Sequence, residues 1–88
     1  MKSLKEMEKE IVINMENVIK QQQPEAYNQV EYLGFQNSVF KFKTRDENTR
    51  EQAIFSLNPY RFSVSVRCEN TKSVDLEIGI MDEKGQLV

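Results

Sequence analysis

Two runs toward the C-terminal end, Phe62 to Cys68 and Val74 to Ile80, alternate strictly between apolar and polar residues. Phe62, Val64, Val66 and Cys68 fall on one side of the first run, with Arg61, Ser63, Ser65 and Arg67 on the other. In the second run Val74, Leu76, Ile78 and Ile80 oppose Ser73, Asp75, Glu77 and Gly79. Side chains on a strand point to opposite faces with period two, so both runs read as half-buried antiparallel strands with one dry face. Matching apolar to apolar sets a register in which Cys68 faces Val74, Val66 faces Leu76 and Val64 faces Ile78. The same register puts Arg67 opposite Asp75 on the wet face.

The N-terminal segment has a different period. Ser3 followed three residues later by Glu6 is the spacing of a capping box, in which each side chain satisfies a free amide of the first turn. Leu4, Met7, Ile11, Met15 and Val18 then recur at steps of three and four, which predicts an amphipathic helix over about 3–22. Glu16 and Lys20 are spaced for an i,i+4 pair. Pro24 ends the helix by disfavouring helical backbone in the residue before it, and Pro24 to Asn28 reads as a connecting turn.

Strands are expected at about 29–35, 39–43, 51–57, 61–68 and 73–81, separated by segments short enough for hairpins. Short connections favour an antiparallel meander, since a parallel pair needs a crossover of about a dozen residues. Asp82 to Gly85 resembles a further tight turn that folds Gln86 to Val88 back. The expected fold is α+β: one N-terminal helix on a four- or five-stranded antiparallel sheet, in a single domain spanning 1–88. Its expected core is Leu4, Met7, Ile11, Met15, Val18, Phe40, Phe42, Phe55, Leu57, Phe62, Val64, Val66, Leu76, Ile78 and Ile80. The order of one helix and then a meander resembles that of cystatin-like domains. Gln29 to Gly34 shares a glutamine, a valine and a glycine with their inhibitory loop in a different spacing. The resemblance is one of element order and these three residues, and membership of that family is not claimed.

Composition narrows the chemistry. A chain of 88 residues buries only about 60 to 65% of its unfolded surface, so a second copy or a partner would add useful stability. It has no histidine and one cysteine, which removes the commonest general base, the commonest zinc ligand and any intrachain disulfide. Cys68 is expected as a buried thiol on the dry face of its strand, compatible with a reducing compartment. Three scattered glycines make no phosphate loop. Asp46 with Glu47 and Asp82 with Glu83 read as solvated turn acids, and the Arg45 to Arg50 loop lacks the ligand spacing of a calcium site. No catalytic residue, cofactor or metal is expected. No apolar run approaches the roughly 20 residues that span a bilayer, and the expected setting is cytoplasmic. A viral or mobile-element source would suit so short and motif-poor a chain.

Function is sought in apolar residues that break the pattern. Ile13 lies nearly opposite the helical stripe. In the first strand Val30 and Tyr32 alternate with Leu33 and Phe35, giving both faces apolar groups, and Ile54 points away from Ala53 and Phe55. Scattered surface hydrophobes are ordinary in small proteins. The functional alternative is a contact patch at an edge strand that carries little charge. Ile13, Tyr27, Leu33, Phe35 and Ile54 are therefore the candidate interface of a small non-enzymatic binding module: an inhibitor, adaptor or assembly subunit, with homodimerisation expected. The alternative is weak nucleic-acid binding. Lys41 and Lys43 interleave with Phe40 and Phe42, and Arg61 and Arg67 could extend a basic patch. The net charge of −2, with 41–72 carrying only seven basic against four acidic residues, argues for protein over nucleic acid.

Overall fold

The structure, a computed structural model, describes residues 3–69 and 75–88. Its first element begins where Ser3 marks it: the Ser3 hydroxyl accepts the Glu6 N–H at 3.2 Å, and α1 runs Leu4–Gln22. Ile11, Met15, Val18 and Ile19 form the buried face of α1, and Met7 and Val12 flank it half-buried. Leu4 has the right angle on the helical wheel but stands in the first turn, where it is exposed and adds nothing to the core. Lys20 does not pair with Glu16; its ammonium lies 5.3 Å from the centre of the Tyr27 ring. That ring belongs to a 3-10 helix, Pro24–Gln29, that replaces the expected open turn. Pro24 opens it with a pre-set φ, and Ala26 is small enough to be buried beneath it.

Five strands follow: β1 (Glu31–Gln36), β2 (Val39–Arg45), β3 (Gln52–Asn58), β4 (Ser63–Cys68) and β5 (Leu76–Ile80). They form one antiparallel sheet in sequence order, the meander expected from the short connections. Asn37 and Ser38, both at positive φ, make the two-residue turn between β1 and β2, the backbone that best matches strand twist. Between β2 and β3 the Asp46 carboxylate accepts the N–H groups of Asn48 and Thr49. The sheet lays Phe40, Phe42, Ala53, Phe55, Leu57 and Val64 against α1 in one continuous core. Two side-chain bonds tie the layers together: Tyr32 Oη donates to Glu8 Oε2 at 2.6 Å, and Thr44 Oγ1 donates to Gln23 Oε1 at 2.8 Å.

The chain end completes the core. Asp82 Oδ1 accepts from the Lys84 and Gln86 N–H groups, Met81 pairs with Leu87, and the Val88 N–H reaches the Ile80 carbonyl at 2.8 Å. This fold-back matches the turn read at Asp82 to Gly85. Met81 is buried and Leu87 packs on the core beside it.

Two bulges correct the strand reading. On β5, Ser65 pairs with Glu77 and Val64 with Gly79, so Ile78 is an extra residue and does not face Val64. Downstream of a bulge every side chain changes face. Ile80 therefore pairs with Ser63 and is exposed, not core. Upstream of the bulge the expected register holds, with Val66 opposite Leu76 and Arg67 Nε 3.0 Å from Asp75 Oδ1. Leu76 is nevertheless 66% exposed. The Cys68 pairing with Val74 lies outside the described residues. Phe62 is not in a strand either. It closes the β3–β4 turn at φ 53 and is 38% exposed.

Candidate interaction surface

With α1 on one face, the other face of the sheet is open. Along β2, β3 and β4 the open-face positions are Val39, Lys41 and Lys43; Ile54, Ser56 and Asn58; and Ser63, Ser65 and Arg67. A hollow of about 430 Å³ crosses this face, and Asp75 and Glu77 close its β5 side. Two of its arginines are paired: Arg67 with Asp75, and Arg61 with Glu77 at 3.6 Å. Lys41 and Lys43, by contrast, have no ion pair among the described residues.

The second bulge shapes the β1 corner. Tyr32 pairs with Phe42 and Gly34 with Lys41, which leaves Leu33 as the extra residue. Gly34 supplies φ +100 with open space around it, a backbone that side-chain-bearing residues rarely adopt. Because of the bulge, Tyr32 and Phe35 face the same way. Their rings lie 4.9 and 4.8 Å from those of Phe42 and Phe40. Simple alternation had set Phe35 with Leu33 and opposite Tyr32. Of these three, Leu33 is the one that turns to the open face, where it lines a small hollow of about 160 Å³ with Gln36, Ile54, Lys41, Arg67 and Asp75.

The five residues singled out from the sequence thus divide. Leu33 and Ile54 come together on the open face. Phe35 sits on the core side, partly exposed beside Phe40. Tyr27 lies half-buried under Lys20. Ile13, 64% exposed, belongs to the outer side of α1. The four cations of the alternative reading do share the open face, with two acids among them. Phe62 escaped sequence reasoning as an exposed residue because its place in an alternating run hid it. The only hint was the preceding Asn58-Pro59 pair, a turn signal.

Among the described residues, two groups titrate away from their ordinary values. Burial, then the hydrogen bond and charge of Glu8, raise the Tyr32 phenol. Burial, then the charge of Glu51, raise the Cys68 thiol, which is half-buried rather than enclosed. Both shifts make the group a weaker acid and keep it neutral at pH 7. No cluster of three His, Cys, Asp or Glu side chains placed to hold a metal ion occurs among the described residues. In those residues no helix is long and apolar enough to cross a membrane. No protein family, no curated protein and no solved structure matches this chain.

Proposed function

We propose that the protein is a non-catalytic binding module that docks on another polypeptide through the β1 corner of its open sheet face. Leu33 and Ile54 are the apolar anchors, with the outer edge of β1 beside them and Phe35 partly exposed on that strand's other face. A second copy of the chain is the first partner to test. The observation that carries this reading is the β1 bulge: it takes Leu33 out of the core-facing series and sets it in one hollow with Ile54. An interrupted edge is a poor template for adding a strand, so the contact is made by side chains more than by main-chain pairing.

The chemistry of the acids and of the raised groups supports binding over catalysis. Asp46 and Asp82 spend their carboxylates on the N–H groups of their own turns. Tyr32 is engaged with Glu8 between helix and sheet. The ion pairs of Arg61 and Arg67 reduce the open-face charge available to a polyanion, which favours a protein partner over nucleic acid.

Sedimentation equilibrium tests self-association directly, with Leu33→Asp and Ile54→Asp as the variants. The expected result is a mass above the 10.4 kDa monomer that returns to monomer in either variant while the thermal midpoint holds. A photo-crosslinking residue at position 33, compared with one at Glu47, tests partners of other sequence. A monomer at all concentrations, together with no crosslink specific to position 33, overturns the proposal.

A further inference from the structure

Serine hydroxyls line the hollow of about 430 Å³ on the open face. Ser56 on β3 and Ser63 on β4 are 9% and 7% exposed, so each is more than nine-tenths buried. Neither hydroxyl has a hydrogen-bond partner among the described residues, and neither does that of half-buried Ser65. Their oxygens are not sealed in, since no enclosed side-chain oxygen or nitrogen among the described residues lacks a partner; they open into the hollow they line. Buried hydroxyls are ordinarily hydrogen-bonded. Three that are not, side by side in one hollow, point to a group supplied from outside.

The register sets these groups in order. Lys41 is opposite Ser56, and Ser56 opposite Ser65, so an ammonium-bearing residue and two hydroxyl-bearing ones follow one another across β2, β3 and β4 at the strand spacing of about 4.8 Å. Ser63 stands on the same face of β4 as Ser65. Lys41 is half-buried and has no ion pair, whereas Arg61 and Arg67 are answered by Glu77 and Asp75. One positive charge is therefore left over in the hollow. Its volume suits a small molecule. Among the described residues Val39 is the one apolar side chain in the lining, and no aromatic ring belongs to it, which disfavours a stacked nucleobase or an apolar side chain.

From the unpartnered hydroxyls and the single unanswered ammonium we infer that this hollow binds a small hydroxy acid, with one carboxylate and several hydroxyl groups. The carboxylate meets Lys41, and the hydroxyls exchange hydrogen bonds with Ser56, Ser63 and Ser65. A polyanion finds only one free cation here. The site lies beside the polypeptide contact but does not rest on it, because Leu33 and Ile54 line the other hollow.

Titration of the isotope-labelled full chain with D-gluconate, followed by amide chemical shifts, tests the inference. Perturbations are expected at Lys41, Ser56, Ser63 and Ser65. Lys41→Gln is expected to weaken binding on the order of tenfold and Ser56→Ala several-fold, both without loss of the folded spectrum. Lys43→Gln, which removes the same charge from the same strand but outside the hollow, should leave binding unchanged. Acetate, which has the charge without the hydroxyls, and sorbitol, which has hydroxyls without the charge, should each bind on the order of tenfold more weakly. Equal binding by acetate or sorbitol, an equal loss in Lys43→Gln, shifts confined to other surfaces, or no shift at all would each overturn it.

Discussion

Gly85 lies so close to α1 that a β-carbon placed on it would stand 2.8 Å from the Asn14 Cβ and 2.9 Å from the Asn14 Cα. Residue 85 is also at φ +79, so both contact distance and backbone call for glycine. This relationship accounts for Asn14, which sits near the apolar stripe of α1 without being apolar. The C-terminal turn is docked there, and a larger side chain would hold it off. Gly85→Ala is expected to destabilise the fold by about 1 to 3 kcal/mol, since neither the helix backbone nor the turn can yield cheaply. Urea unfolding read by circular dichroism measures it. A loss below a few tenths would mean that the turn is not docked.

The Arg67–Asp75 pair joins β4 to the residue just before β5, with both side chains half-exposed. Solvent screens such a pair, so a double-mutant cycle with Arg67→Ala and Asp75→Ala is expected to give a coupling of about 0.2 to 1 kcal/mol that shrinks in high salt. Zero coupling at low salt would remove the pair from the account of register.

That pair was legible in the sequence because two independent constraints, apolar matching and charge matching, pointed to one register. The bulges were not. An alternating run states that side chains change face at every step, and it carries no mark for the step that is skipped. Gly34 and Gly79, each next to a bulge, were the only traces. Ile80 and Phe35 were therefore placed on the wrong faces, and with them the shape of the candidate surface. Ile19 and Met81 joined the core unannounced: one lies at the margin of a helical stripe drawn too narrow, the other follows the β5 bulge. Leu33 and Ile54 were both named from the sequence, but only the bulge at β1 explains why they share a hollow.

Tyr32 should give the fold an alkaline limit. Its phenol titrates above the ordinary value of 10.0 because burial, and then Glu8, favour the neutral form. A group whose folded pKa is raised stabilises the fold fully below its unfolded pKa and loses that contribution as pH climbs through the folded value. Wild-type stability is therefore expected to fall above about pH 10 more steeply than that of Tyr32→Phe. At neutral pH Tyr32→Phe should cost about 1 kcal/mol for the lost hydrogen bond and the stranded Glu8 acceptor. Urea midpoints for both proteins between neutral and alkaline pH decide it, and parallel curves would show that Tyr32 stays solvated.

Deleting Leu33 separates the bulge from the core. Tyr32 already pairs with Phe42, and Gly34 and Phe35 already pair with Lys41 and Phe40, so removing the one extra residue leaves every remaining partner in place. The shortened chain is expected to keep its fold, within about 2 kcal/mol of the parent, because no buried side chain changes face. Two properties should change together. The apolar anchor on the open face disappears, and a dimer made through it should dissociate. The uninterrupted edge also becomes a better template for another strand, so a different, strand-paired aggregate should grow at high concentration. Light scattering follows the aggregate and sedimentation the dimer. A deletion variant that unfolds would show that the bulge serves the core, and one that neither dissociates nor aggregates would show that the β1 corner is inert surface.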